Sequence, residues 1–215
     1  MKLFYTPNSP YARITIVTAL ELNLSDHIEM QKVTVRDVNS ILLNYNPTGK
    51  VPTLETDDKF ILSETRIICA CFDSFNNKIK LVADTSDAFS LQLEGLVGGF
   101  LDGVAVWVRE VRRPKTEQSP PIIELEQLRA LRCLEHFEKL SDKLDQQPKL
   151  AHIMLGCTLG IIEARLQKFQ WRQEHLRLAN WYDQFSSRPS MQVTKPEVKN
   201  NCILGSAKPE PNKTL

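Results

Sequence analysis

Asn46-Pro47-Thr48-Gly49-Lys50-Val51-Pro52-Thr53-Leu54, followed by Leu62-Ser63-Glu64-Thr65, is the stretch whose reading decides the fold. Asn-Pro-Thr-Gly is a turn by composition. Val51 to Thr56 then reads as a strand interrupted by Pro52. Proline removes a ladder donor and, where its peptide is cis, turns the preceding backbone outward. An extended peptide can then pair with the exposed N–H and C=O of Val51. Asp57-Asp58-Lys59 reads as a hairpin turn into a second strand, Phe60 to Leu62, and a helix opens at Glu64-Thr65 and runs to about Phe75. Thr65 at that helix start offers a hydroxyl beside unpaired backbone N–H groups, which suits an α-carboxylate, while Glu64 suits the neighbouring ammonium. The pair matches one amino-acid head group. The competing reading is that Glu64 and Thr65 merely cap the helix, and Val51-Pro52 upstream favours binding.

Toward the N-terminus, Lys2 to Tyr5 is a short apolar strand, and Ser9-Pro10 supplies an N-cap with Pro at the first helical position. A helix over about Tyr11 to Leu22 follows, then a strand over His27 to Val35 and a short helix from Asp37 to about Tyr45. The order is βαβ, then ββα. Beyond Asn76-Asn77 the pattern changes to long helices. One, within Asp87 to Arg113, carries the apolar stripe Leu93, Leu96, Phe100, Val104, Trp107 and Val111. The next opens at Pro120-Pro121, with Leu125, Leu128, Leu131, Leu134, Phe137 and Leu140 as its expected inner face. A third, about Leu150 to Phe169, is apolar nearly all round at first, as befits a buried helix, and a fourth carries Leu176, Trp181, Tyr182 and Phe185. These patterns divide the chain into an α/β unit at 1–77, an all-α unit at 85–195 and a polar, loosely packed tail at 196–215.

The 215 residues include only 8 glycines, about half the usual share of ~7%. Neither G-x-G-x-x-G nor G-x-x-x-x-G-K-[ST] occurs, which excludes Rossmann and P-loop phosphate cradles. Gly95, Gly99 and Gly103 are four apart, as are Gly156 and Gly160, so each set is expected to form a groove where a neighbouring helix approaches closely. A net charge of +1 argues against a nucleic-acid partner. Five cysteines at no disulfide-framework spacing, and an N-terminus without an apolar signal core, read as a cytoplasmic chain with reduced thiols. Cys69 and Cys71 read as plain thiols rather than metal ligands, so no metal site is expected. The longest uninterrupted apolar run, Ile153 to Ile162, is about half of what a membrane span needs, so no membrane partner is expected.

The ordered set of Asn46 to Leu54, Leu62 to Thr65, Ser9-Pro10 with Arg13, and Ser187 to Ser190 closely resembles the glutathione S-transferase family, over about residues 1 to 195. The resemblance implies a thioredoxin-like N-terminal domain, an all-α C-terminal helical bundle, usually a homodimer, and glutathione as co-substrate. It implies that Val51, Pro52, Glu64 and Thr65 hold glutathione, with Lys50, and less strongly Arg36, at its glycine carboxylate. Ser9 is the candidate for activating the thiol: it sits where the first strand meets the first helix, and a donated hydrogen bond plus a helix N-terminus favour the thiolate. Tyr5, Thr6 and Asn8 compete for that role. No cysteine occurs between Met1 and Ile68, which favours conjugation over thiol-disulfide exchange. The second substrate is expected to be a small, largely apolar electrophile in a pocket of Tyr11, Leu101, Ala105, Trp107 and Val108, and Asp102 is a candidate for the γ-glutamyl ammonium of a partner subunit's ligand. Two alternatives share the pattern: a non-catalytic interaction module, and a glutathione-dependent reductase or dehalogenase. One departure from the family is that Lys149 and His152 stand where it usually has a Ser/Thr-x-x-Asp capping box.

Overall fold

A computed structural model describes residues 1–76 and 79–197. The expected boundary near Asn77 and most of the expected tail at 196–215 therefore lie outside the described residues. The chain runs β1 (Lys2–Tyr5), α1 (Pro10–Glu21), β2 (Glu29–Lys32), β3 (Thr53–Glu55), β4 (Ile61–Ser63) and α2 (Thr65–Ser74). It continues through α3 (Ala88–Val111), α4 (Pro120–Leu140), α5 (Leu150–Arg165), α6 (Leu176–Ser186) and α7 (Pro189–Val193). The four strands form one mixed sheet in the order β2-β1-β3-β4. β1 pairs parallel with β2, whereas β1–β3 and β3–β4 are antiparallel. This is the thioredoxin-like arrangement, followed by a helical C-terminal region.

The register puts every functional strand end at one edge. Phe4 lies opposite Thr53, and Thr53 opposite Ser63. The end of β1, the start of β3 and the end of β4 therefore lie side by side, and the segments Thr6–Ser9, Val51–Pro52 and Glu64–Thr65 leave the sheet together.

Local chemistry corrects three expectations. The strand foreseen over His27–Val35 is confined to Glu29–Lys32. The helix foreseen from Asp37 reduces to a 3-10 turn at Ile41–Asn44, because Asp37 Oδ1 takes the Asn39 N–H and Ser40 Oγ donates to the Thr34 carbonyl, which diverts the segment from a helical path. On α4, Leu125 and Leu128 are 51% and 47% exposed, while Glu126, Ala130, Leu134 and Phe137 face inward. A run spaced strictly by three residues slips back ~60° per step, since 3.6 residues make a turn, and cannot stay on one face.

α5 is the buried axis of the helical region, with nearly its whole length enclosed, as its all-round apolar sequence requires. α3 packs between α4 and α5. By length and composition α3 is apolar enough to cross a membrane, yet 56% of that window is buried inside the fold. The glycine grooves are real only in part. A Cβ at Gly103 would lie 2.6 Å from Glu126 Oε2, and one at Gly160 would lie 2.7 Å from Arg13 Nη1, whereas nothing stands within 4 Å of Gly95 or Gly99. What approaches is side chain, not backbone, and Gly95 and Gly99 mark an open face of α3.

A short belt joins the two halves. Buried Asp73 on α2 accepts from the amides of Leu81 and Val82, and buried Glu94 on α3 accepts from that of Ala83. The Leu81 carbonyl accepts from the Leu150 N–H at 2.7 Å, which serves the α5 terminus whose N-cap Lys149 makes no side-chain capping bond. His152, in place of the usual capping Asp, is buried with Nδ1 3.0 Å from the Gln147 carbonyl and its ring near Trp181 and Phe185. Leu3, Ile14, Ile68 and Phe72 share one apolar core with Leu93, Phe100 and Leu155.

Candidate active site

Ser9 is the N-cap of α1: its Oγ accepts from the Ala12 N–H at 3.2 Å, and Pro10 occupies the first helical position. Only a lone pair is used in that bond, so the hydroxyl proton remains available to a ligand. Arg13, one turn on, fixes the same turn from behind. Buried, it donates from Nη2 to the Met191 carbonyl at 3.0 Å and from Nε to Thr194 Oγ1 at 3.2 Å, and its Nη1 sits against Gly160.

Buried Asn46 organises the turn before β3. Its Oδ1 accepts from the Thr48 N–H and hydroxyl at 3.0 and 2.8 Å, and its Nδ2 donates to Thr53 Oγ1 at 2.8 Å and the Lys50 carbonyl at 3.3 Å. Gly49 stands at φ +62°, a left-handed value that favours glycine. The Val51–Pro52 peptide is cis. The Val51 side chain packs onto the small cluster of Phe4, Val33 and Leu42, and the Lys50 side chain is exposed.

At the third corner, Glu64 precedes α2 with φ +73° and makes no side-chain capping bond. A non-glycine residue in this region costs ~1–3 kcal/mol and persists only where its surroundings impose it. The capping reading of Glu64 therefore fails, and its exposed carboxylate is uncommitted to the helix. The first turn of α2 contains no acidic residue, so its amides and the Thr65 hydroxyl keep their attraction for an anion. Arg66 ties that turn to α3 through Glu94, 2.8 Å from its Nε.

Tyr11, in the first turn of α1, is half-buried and packs against the main core. Its hydroxyl donates to Asp102 Oδ1 of α3 at 2.5 Å. Burial, then the Asp102 hydrogen bond and charge, push its pKa far above the ordinary tyrosine range, with Glu64 adding and Arg109 opposing. Tyr11 stays protonated and neutral and cannot serve as the thiol's base. The remaining pocket residues foreseen on α3 are not in the cleft. Leu101, Ala105, Trp107 and Val108 are buried, with Leu101, Trp107 and Val108 in the main core, and Trp107 packs edge-on to Phe169 at 5.0 Å. The face of α3 marked by Asp102 is polar: Arg109, seven residues on, shares it and is exposed.

Asn8, named as a competitor of Ser9, is engaged from α5: Arg165 Nη2 donates to its Oδ1 at 2.9 Å. Neither this bond, nor Tyr11–Asp102, nor Arg66–Glu94 had a sequence signal, since each joins residues 28 to 157 positions apart. The Asn46 network did have one, in the turn dipeptide Asn46-Pro47. Behind the loop, a cavity of about 300 Å³ is lined by Thr6 to Ser9, Ile16, Met30 and Val193 to Lys195.

The family model described as the N-terminal domain of glutathione S-transferase matches residues 8–74. An uncharacterized GST-like protein of Escherichia coli K12, YibF, is 26% identical over 201 residues, which cover 91% of this chain and 98% of that one. A glutathione S-transferase from Methylobacillus flagellatus KT, solved with GSH bound, is 30% identical with a TM-score of 0.82, covering 91% of this chain and 98% of that one. A glutathione transferase family member from Pseudomonas fluorescens Pf-5, solved with S-(propanoic acid)-glutathione, is 28% identical with a TM-score of 0.82, covering 92% of this chain and all of that one. With strand register, helix caps and whole-chain similarity all in agreement, the chain belongs to the glutathione S-transferase family.

Proposed function

We propose that this protein is a glutathione transferase: it binds glutathione as co-substrate along the edge formed by β1, β3 and β4, and directs its thiolate at a small electrophile. The observation that carries the reading is Glu64, held at φ +73° beside an uncapped α2 terminus and within electrostatic reach of Tyr11. An α-amino acid head group uses all of that arrangement, with its carboxylate on Thr65 and the α2 amides and its ammonium on Glu64. The backbone of Val51, before Pro52, pairs with the ligand's peptide groups, and Lys50 meets the glycine carboxylate. Ser9 donates its hydroxyl proton to the sulfur and so stabilises the thiolate without removing a proton itself. Both relatives solved with glutathione or a glutathione conjugate align over nearly the whole chain, which supports the same ligand here.

In this reading residues 1–77 form the glutathione-binding domain and 85–195 the helical domain, and the protein works as a homodimer. The open face of α3 with Gly95, Leu96 and Gly99, and the exposed apolar Phe60 and Ile67 of the α/β half, suit a subunit contact. The test is retention on immobilised glutathione, followed by conjugation of a chromogenic aryl halide. Retention and turnover in wild type, with turnover reduced in Ser9→Ala, support the proposal; absence of both in wild type favours an interaction module.

A further inference from the structure

We infer that the electrophile's side of the site selects an anion, with Arg109 on the Asp102 face of α3 and Arg165 at the Ser9 loop placed to take a carboxylate-bearing second substrate. This rests on the glutathione-transferase reading above and specifies its substrate class. The geometry is built from two helix ends. Tyr11 bound to Asp102 shows which face of α3 looks onto the loop, and Arg109 lies two turns further along that face with its Nε anchored on the Ala105 carbonyl at 3.0 Å. Its charge acts on the Tyr11 hydroxyl. From the end of α5, Arg165 reaches Asn8, the residue before Ser9. Burial first, and then the charge of Arg112, hold the Arg165 guanidinium below its ordinary range, so a bound anion is favoured beside it.

Cations at helix C-termini gain only ~0.3–1 kcal/mol from the dipole, which accounts for each arginine singly but not for two helix ends converging on one loop. The neighbouring acids have other tasks. Asp102 Oδ1 takes the Tyr11 proton, and Glu64 suits the ammonium of glutathione. Glu197 offers Arg165 its main-chain oxygen and a favourable charge. Arg113 is paired with Glu117 and stands outside the group. For an anion arriving beside the thiolate, the attraction of Arg109 and Arg165 offsets its repulsion by the sulfur's negative charge.

The test compares two electrophiles of one shape and different charge, 4-chloro-3,5-dinitrobenzoate and 4-chloro-3,5-dinitrobenzamide. In each, the thiolate sulfur adds to the chlorine-bearing carbon and chloride leaves with the C–Cl electron pair, the thiol proton having gone to solvent. The wild type is expected to show a benzoate-to-benzamide ratio of kcat/KM, corrected for the uncatalysed reaction, of about tenfold or more. Arg109→Gln and Arg165→Gln should each lower that ratio several-fold and together bring it near one, while Lys139→Gln, a remote surface change, leaves it in place. Added salt should depress the benzoate rate selectively. A ratio near one in wild type overturns the inference, as does a rise in the KM for glutathione with both electrophiles affected alike, which would assign the arginines to glutathione's own carboxylates. If wild type is retained on glutathione but turns over neither compound, calorimetry with the two conjugates decides, equal affinity overturning the inference. If it neither binds glutathione nor reacts, the transferase reading itself falls.

Discussion

Replacing Ser9 separates its two roles, because the cap and the thiol use different parts of one hydroxyl. In Ser9→Ala the acceptor for the Ala12 N–H is lost, a change worth about 1 kcal/mol at an N-cap. In a chain of this size that lowers Tm by about 2–4 °C. The hydrogen bond to the thiolate is lost as well. A bond to a charged group contributes ~1.5–3 kcal/mol, and each pKa unit corresponds to about 1.4 kcal/mol, so the thiol pKa of bound glutathione should rise by one to two units. With less thiolate at a given pH, kcat/KM at about pH 6.5 should fall ~10–100-fold and recover toward the wild-type value as pH rises past the new pKa. In Ser9→Asp the cap survives, since Asp is as good an N-cap as Ser, but the residue has no proton to donate and adds a negative charge beside the sulfur. Its Tm should stay within about 1 °C of wild type while its activity falls below that of Ser9→Ala. The measurements are thermal melts, ultraviolet titration of the bound thiolate, and pH–rate profiles. An unshifted thiolate titration in Ser9→Ala, or full activity in Ser9→Asp, would refute the assignment and pass the role to Thr6 or Asn8.

Other consequences follow from particular contacts. Glu64→Gly relieves the left-handed φ and should raise stability by about 1 kcal/mol in urea unfolding while weakening glutathione binding tenfold or more; unchanged affinity by calorimetry would show that Glu64 does not touch the ligand. Gly160→Ala drives a methyl group against Arg13 and Tyr182 and should cost ~1–3 kcal/mol in urea unfolding; an unchanged midpoint would contradict the packing described. Burial holds the His152 imidazole below the ordinary histidine range. Between that lowered value and ~6.5 the unfolded chain binds the extra proton and the folded one does not, so stability is complete above the unfolded pKa and declines as pH falls below it. Urea midpoints should therefore drop on acidification more in wild type than in His152→Asn, and equal losses would remove His152 from the account.

What could be read from the sequence follows the range of the physics involved. The Ser9 cap and the Glu64-Thr65 helix start depend on residues within four positions, and both lie where the sequence puts them. The order of elements, βαβ then ββα, is nearly as legible, because short apolar runs between turn residues mark each strand. Rotation of a helix about its axis is set by neighbours far away in sequence, and there the reading fails. Leu125 and Leu128 face solvent, and the residues foreseen as the α3 pocket point into the core, because α4 and α5 together enclose that side of α3. The contacts that shape the cleft, Tyr11–Asp102 and Arg165–Asn8, join residues no local pattern connects.

The belt at residues 81–83 bears on how such proteins can be recombined. Its three amides are claimed by carboxylates of α2 and α3, and its Leu81 carbonyl closes the end of α5. A chimera cut there with a homologous half inherits a lock without its key unless Asp73, Glu94 and the Leu150 register travel with it. Exchanging the α/β half for a relative's is thus a three-point graft, in which two carboxylates and one helix terminus have to arrive together.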